Sequence, residues 1–130
     1  MFDRLPIIAL CSALLFGCTQ ETAKQENTNA PKEIHKTLAI SAIVEHPSLD
    51  DIRRGVIAGL AEQGYQEGKN LTVNFQSAQG NMATAGQIAK QFSADSPDAI
   101  VAISTPSAQT IAAATQSIPI IYTAVSDPVA

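Results

Sequence analysis

From Lys36 onward, short β-branched runs alternate with stretches whose apolar residues recur at helical spacing, and the alternation continues to Thr123. A strand reached through a helix lies parallel to the one before it. Repeated β-α units therefore predict an α/β fold, a doubly wound open parallel sheet in the order β-α-β-α-β-α-β with helices on both faces.

The individual elements follow from local signals. Thr37 to Val44 is a near-continuous apolar run, as a strand covered on both faces requires. Ser48 and Asp51 have capping-box spacing just after Pro47, and Leu49, Ile52, Val56 and Leu60 carry the helical period to a stop at Gly64. Leu71 to Phe75 alternates apolar and polar residues and predicts an edge strand after the turn Glu67-Gly68-Lys69-Asn70. Asn81 predicts the cap of a second helix with Met82, Ala85, Ile88, Ala89 and Phe92 on one face. Ser96-Pro97-Asp98 introduces a third strand, Ala99 to Ile103. Thr105 before Pro106 predicts the cap of a third helix running to Thr115, and Pro119 opens a fourth strand, Ile120 to Thr123.

The segment before the first strand reads differently. Arg4, the apolar run Leu5 to Phe16 and the closing Leu15-Phe16-Gly17-Cys18 predict an export signal over residues 1–17, too short for a bilayer span of about 20 residues. Cys18 sits where a lipobox cysteine is lipidated. Asp3 and the bulk of Phe16 depart from the usual pattern of such signals. Residues 18–36, rich in Gln, Asn, Glu, Lys and Thr, have too little apolar surface to offset ordering entropy and predict a disordered tether. Residues 37–130 are then the one small α/β unit.

Charge and cysteine content narrow the function. The net charge is −4, and Arg53-Arg54 is the only basic pair of note, so nucleic acid is not an expected partner. Cys11 leaves with the signal and Cys18 is consumed by lipid, so no thiol remains for a disulfide, metal or nucleophile. No nucleophile elbow, Gly-rich phosphate loop or metal-ligand spacing occurs. The expectation is a protein without catalysis, metal or cofactor.

In open parallel sheets ligands bind outside the carboxyl ends of the strands, here Glu45–Asp50, Gln76–Asn81, Ser104–Ser107 and Ala124–Pro128. Ser104-Thr-Pro-Ser107 brings hydroxyls and unbonded N–H groups to a positive helix end that suits a carboxylate, with ordinary capping as the alternative. Ser48 poses the same choice. Glu45 and Asp127 end the first and fourth strands, either facing a ligand ammonium or standing as solvated carboxylates. Asp50 and Asp51 favour a helix N-terminus. His46 reads as a surface or capping residue, His35 falls in the tether, and Tyr65, Phe75 and Tyr122 read as core or edge packing.

Taken in series, Glu45-His-Pro-Ser-Leu-Asp50, Gly55-Val-Ile-Ala-Gly-Leu60 through Gly64-Tyr-Gln-Glu-Gly-Lys-Asn70, Gln76-Ser-Ala-Gln-Gly-Asn81, Ile103-Ser-Thr-Pro-Ser-Ala-Gln109 and Thr123-Ala-Val-Ser-Asp-Pro-Val129 resemble the bacterial ABC transporter substrate-binding protein family that includes the tryptophan-uptake receptors. The resemblance implies a two-lobed type I periplasmic-binding-protein fold, of which this chain is part of the first lobe, an N-terminal fragment or a truncated product. It implies ligand contacts from Glu45, Ser48, Thr105, Ser107, Ser126 and Asp127. It also implies an amino-acid ligand, aromatic or otherwise hydrophobic, an ABC permease as partner, and a lipid anchor at the periplasm or cell surface. A ligand-sensing module of a signalling system is the alternative, and a lipid-anchored hydrolase a more distant one. A cleft needs both walls to bury a ligand, so the piece alone is expected to bind weakly or not at all.

Overall fold

The computed structural model describes residues 34–127. The export signal, Cys18, most of the tether and Pro128 lie outside the described residues. Four strands, β1 (Lys36–Ala42), β2 (Leu71–Ser77), β3 (Ala99–Ile103) and β4 (Ile120–Thr123), alternate with three helices, α1 (Pro47–Glu62), α2 (Met82–Asp95) and α3 (Thr105–Ala114). All pairings are parallel and the strand order is β2-β1-β3-β4, which is the doubly wound sheet that the alternating pattern predicts.

Side-chain alternation divides β1 and β3 between two cores. Leu38, Ile40 and Ala42 join Val101 and Ile103 beneath Leu49, Ile52, Val56 and Leu60 of α1. On the other face Ala39, Ile100 and Ala102 meet Ala85, Ile88, Ala89 and Phe92 of α2 and Ile111 of α3. Central strands buried on both sides have no face to leave polar, which is why β1 and β3 read as apolar runs. At the edge, β2 buries Leu71 and exposes Thr72 and Asn74, the expected alternation. Arg53 lies over the Phe75 ring at 4.3 Å, so its guanidinium covers the end of the core beneath α1, and Phe75 packs at the edge as anticipated.

The amino end of the sheet is held by one carboxylate. Asp98 accepts from Lys36 Nζ at 2.7 Å, from the Thr37 N–H at 2.7 Å and from Thr37 Oγ1 at 3.1 Å, while its own N–H donates to the Thr37 carbonyl. The Lys36 bond, with the Thr37 N–H next, pulls the Asp98 carboxyl down to about 2.

Several boundaries differ from the sequence expectations for identifiable reasons. The tether ends sooner, because Lys36 pairs with Leu71 inside β1 and His35 Nε2 lies 2.8 Å from Thr72 Oγ1. Helix α1 begins at Pro47, so His46 rather than Ser48 is the cap, its ring nitrogen accepting the Ser48 N–H. Proline at the first helical position places the cap one residue before it. Asn81 does cap α2, its Oδ1 accepting from the N–H groups of Ala83 and Thr84. Met82 is 53% exposed, one turn before the packed face of α2 begins. Gly64, at φ +91°, follows the α1 cap in the left-handed conformation that a helix stop favours.

Candidate functional site

The connections locate a crevice. Strand β1 feeds α1 on one face of the sheet and its neighbour β3 feeds α3 on the other, so the loops leaving these adjacent strands diverge. Such a switch point, at the carboxyl ends of β1 and β3, is where open α/β sheets hold ligands. Glu45 and Ser48 leave β1 here, and Thr105 and Ser107 leave β3.

The three helices that start at this edge do not start alike. The first turns of α1 and α2 are bonded by the side chains of His46 and Asn81. Ser104, the cap of α3, makes no side-chain cap bond. Its backbone stands at φ 92°, ψ 156°, a region that costs a non-glycine residue about 1–3 kcal/mol. Its N–H donates to the Thr123 carbonyl at 2.9 Å, and its hydroxyl turns inward to Ser107 Oγ at 3.3 Å. Thr105, expected to cap, is instead the first helical residue. The first N–H groups of a helix have no intrahelical partner, and Pro106 has no N–H, so the positive end of α3 starts without a side-chain cap and Thr105 carries its first amide.

Beside this helix end lies a depression of about 330 Å³. Thr105, Ser126 and Asp127 form its polar rim, and the Ser126 N–H donates to Thr105 Oγ1 at 2.9 Å, tying the β4 loop to α3. Ala108, Ala112, Ile120 and Tyr122 form its apolar flank along α3 and β4. Tyr122 is half exposed there, an edge residue that no described strand covers.

The six residues singled out from the sequence thus fall into three placements. Thr105, Ser126 and Asp127 meet at one rim. Glu45 and Ser48 stand across the switch point, where the Glu45 carboxylate accepts a 2.7 Å bond from Gln79 Nε2 and Ser48 Oγ lies 2.8 Å from His46 Nδ1. Ser107 is fully buried, its hydroxyl within the helix-sheet contact and only its backbone near the helix end. Ser104 enters the sequence reading only within the Ser104–Ser107 helix start, and Gln79, Gln109 and Tyr122 are not among its site residues. Gln109 follows Thr105 by one helical turn, a spacing that identifies it in retrospect. The other three owe their places to loop conformation or to a vacant sheet edge, which carry no residue-type signal.

Residues 37–130 match the family described as ABC transporter substrate binding protein. A tyrosine-binding protein of Clostridioides difficile (strain R20291) is 47% identical over 120 residues, covering 90% of this chain and 35% of that protein. Among solved structures, the ligand-free open form of a substrate binding protein with adhesive properties from Clostridium difficile is 49% identical with a TM-score of 0.71, covering 72% of this chain and 32% of that one. An ABC domain in complex with L-Trp from Streptococcus pneumonia is 36% identical with a TM-score of 0.70, covering 73% of this chain and 32% of that one. The chain spans about one third of the length of these relatives. With the match running through the whole sheet and every loop of the crevice, the chain belongs to the ABC transporter substrate-binding protein family.

Proposed function

We propose that this chain carries one wall of an amino-acid site in a receptor that delivers its ligand to an ABC permease. The observation that carries the reading is the uncapped start of α3 beside Thr105, Ser126 and Asp127, at the switch point of the sheet. An α-amino acid needs a positive site for its carboxylate and a negative one for its ammonium within a few ångströms. The helix end supplies the first, strengthened by the Thr105 hydroxyl. Asp127 on one side and Glu45 on the other supply the second. The names of two relatives, one for tyrosine and one solved with L-Trp, support an aromatic side chain on the ligand. In such a receptor the ligand stabilises the closed form by binding it more tightly than the open one, and the permease reads that form.

A one-walled site binds weakly, so the test is a residue-resolved one. Amide shifts of the labelled chain should move with millimolar L-tryptophan at Thr105, Ser107, Ser126 and Asp127, and L-tryptophan methyl ester, which has no carboxylate, should leave the α3 amides in place. L-tryptophan shifts that fall away from these residues, or methyl-ester shifts equal to them at the α3 amides, would remove the reading.

The same proposal includes export and anchoring through Cys18, with the lobe held at the periplasmic or outer surface by its tether. In cells, Cys18→Ser should move the protein from the detergent phase to the aqueous phase. Equal partition of the two forms would exclude the lipid anchor.

A further inference from the structure

We infer that Gln79 is a positioning residue of the same site, holding the Glu45 carboxylate toward the crevice so that it receives a ligand ammonium. This rests on the amino-acid reading above. Glu45 and Gln79 lie 34 positions apart in sequence, in the loops that follow β1 and β2, and the Gln79 amide donates to Glu45 Oε1 at 2.7 Å. One carboxylate oxygen is thereby engaged, which restricts the rotation of an exposed side chain and leaves Oε2 for a second donor. A carboxylate accepts at both oxygens, so the amide does not compete with an ammonium.

The backbone at Gln79 makes the choice of residue informative. It stands at φ 51°, the left-handed region that glycine and asparagine occupy more cheaply. The turn is fixed independently of its side chain: Ala78 N–H donates to the Ala42 carbonyl at 2.9 Å, and Gly80 N–H to the Ile43 carbonyl at 2.7 Å. A residue selected for the turn alone would be glycine, as at the next position, Gly80, with φ +77°. What glutamine adds is reach to Glu45. The bond also joins the loop of the edge strand to the loop of the switch point.

The experiment compares L-tryptophan with N-acetyl-L-tryptophan, which lacks the ammonium, by amide-shift titration of the full chain. Wild type should prefer L-tryptophan by roughly three- to tenfold, the ratio that one typical net hydrogen bond gives. Gln79→Gly should melt close to wild type, because the relief of left-handed backbone is offset by the freedom glycine gains in the unfolded chain, yet lose the preference. Lost selectivity at unchanged stability is something a merely structural residue does not produce. Gln79→Asn keeps the amide and suits the left-handed backbone but is one methylene short, and should also lose the preference. Glu45→Gln should lose it too, with no further loss when combined with Gln79→Gly. Wild-type preference in both Gln79 variants but not in Glu45→Gln would overturn the role of Gln79 alone. Wild-type preference in Glu45→Gln as well would remove Glu45 from the site and Gln79 with it. A wild type that shows no localised shifts with L-tryptophan overturns the amino-acid reading and this inference together.

Discussion

The two ends of the sheet are built on opposite principles. At the amino end, Asp98 gathers three hydrogen bonds from Lys36 and Thr37, and its backbone returns a fourth, so nearby donors and acceptors are used up in holding β1 to β3. At the carboxyl end stand four of the five non-glycine residues with positive φ among the described residues, Gln79, Ser104, Ala124 and Asp127, and one helix there begins without a side-chain cap. The contrast teaches where a small parallel sheet keeps its stability and where it keeps groups in reserve. Strained backbone and unbonded amides lower stability, and they persist only because the rest of the structure over-determines them.

The largest expected effect lies in the packed layer under the amino end. Phe92 is fully buried between α2 and the sheet, close to Thr37, Leu38 and Pro97. Phe92→Ala should cost about 3–5 kcal/mol by chemical denaturation, enough to unfold much of the population of a small domain. A loss below about 1 kcal/mol would mean that this end does not carry the fold.

At the carboxyl end the comparison predicts changes of unequal size. Asn81→Ala removes a working cap and should cost about 1 kcal/mol. Ser104→Gly relieves about 1–3 kcal/mol of backbone strain, but it adds roughly 0.5–1 kcal/mol of unfolded-state freedom and removes the partner of the buried Ser107 hydroxyl, so it should cost less than Asn81→Ala. If both substitutions destabilise equally in urea titrations, the distinction between a capped α2 and an open α3 fails.

The smallest effect is a pH dependence. The Asp98 carboxyl lies below its ordinary 3.8, at about 2, so its contribution is complete above roughly pH 4 and disappears as pH falls from there toward 2. The bond to Asp98 raises Lys36 above 10.5, and that contribution disappears only as pH rises beyond this value. Melting temperatures between pH 5 and pH 2 should fall more steeply for wild type than for Asp98→Asn. Parallel curves would show that the amino-end clasp adds nothing.

Much of this was legible in the sequence. The parallel sheet follows from apolar runs separated by helical periods, and the edge position of β2 from the alternation of Leu71, Thr72, Val73 and Asn74. Asn81 declared itself as a cap because asparagine before an apolar period has few other uses. The start of α1 was less legible, since Ser48 and His46 both offer an acceptor and only the helical position of Pro47 separates them. Thr105 was assigned as a cap on residue type, whereas the bond from Ser104 to Thr123 moves the helix start by one residue. The exposure of Met82 depends on where α2 overhangs the strands, a tertiary quantity.

By itself the sequence determined the order of elements, the direction of every strand and the edge at which the strand-end loops gather, because hydrophobic period and crossover handedness are local or nearly local constraints. Tertiary structure alone decided which groups at that edge are spent and which are free. Glu45 meets Gln79 across 34 residues, Thr105 meets the Ser126 amide across 21, and Ser107 disappears into the core. Those outcomes depend on how two loops face each other after the sheet has formed, and no residue type or spacing encodes a distance between loops.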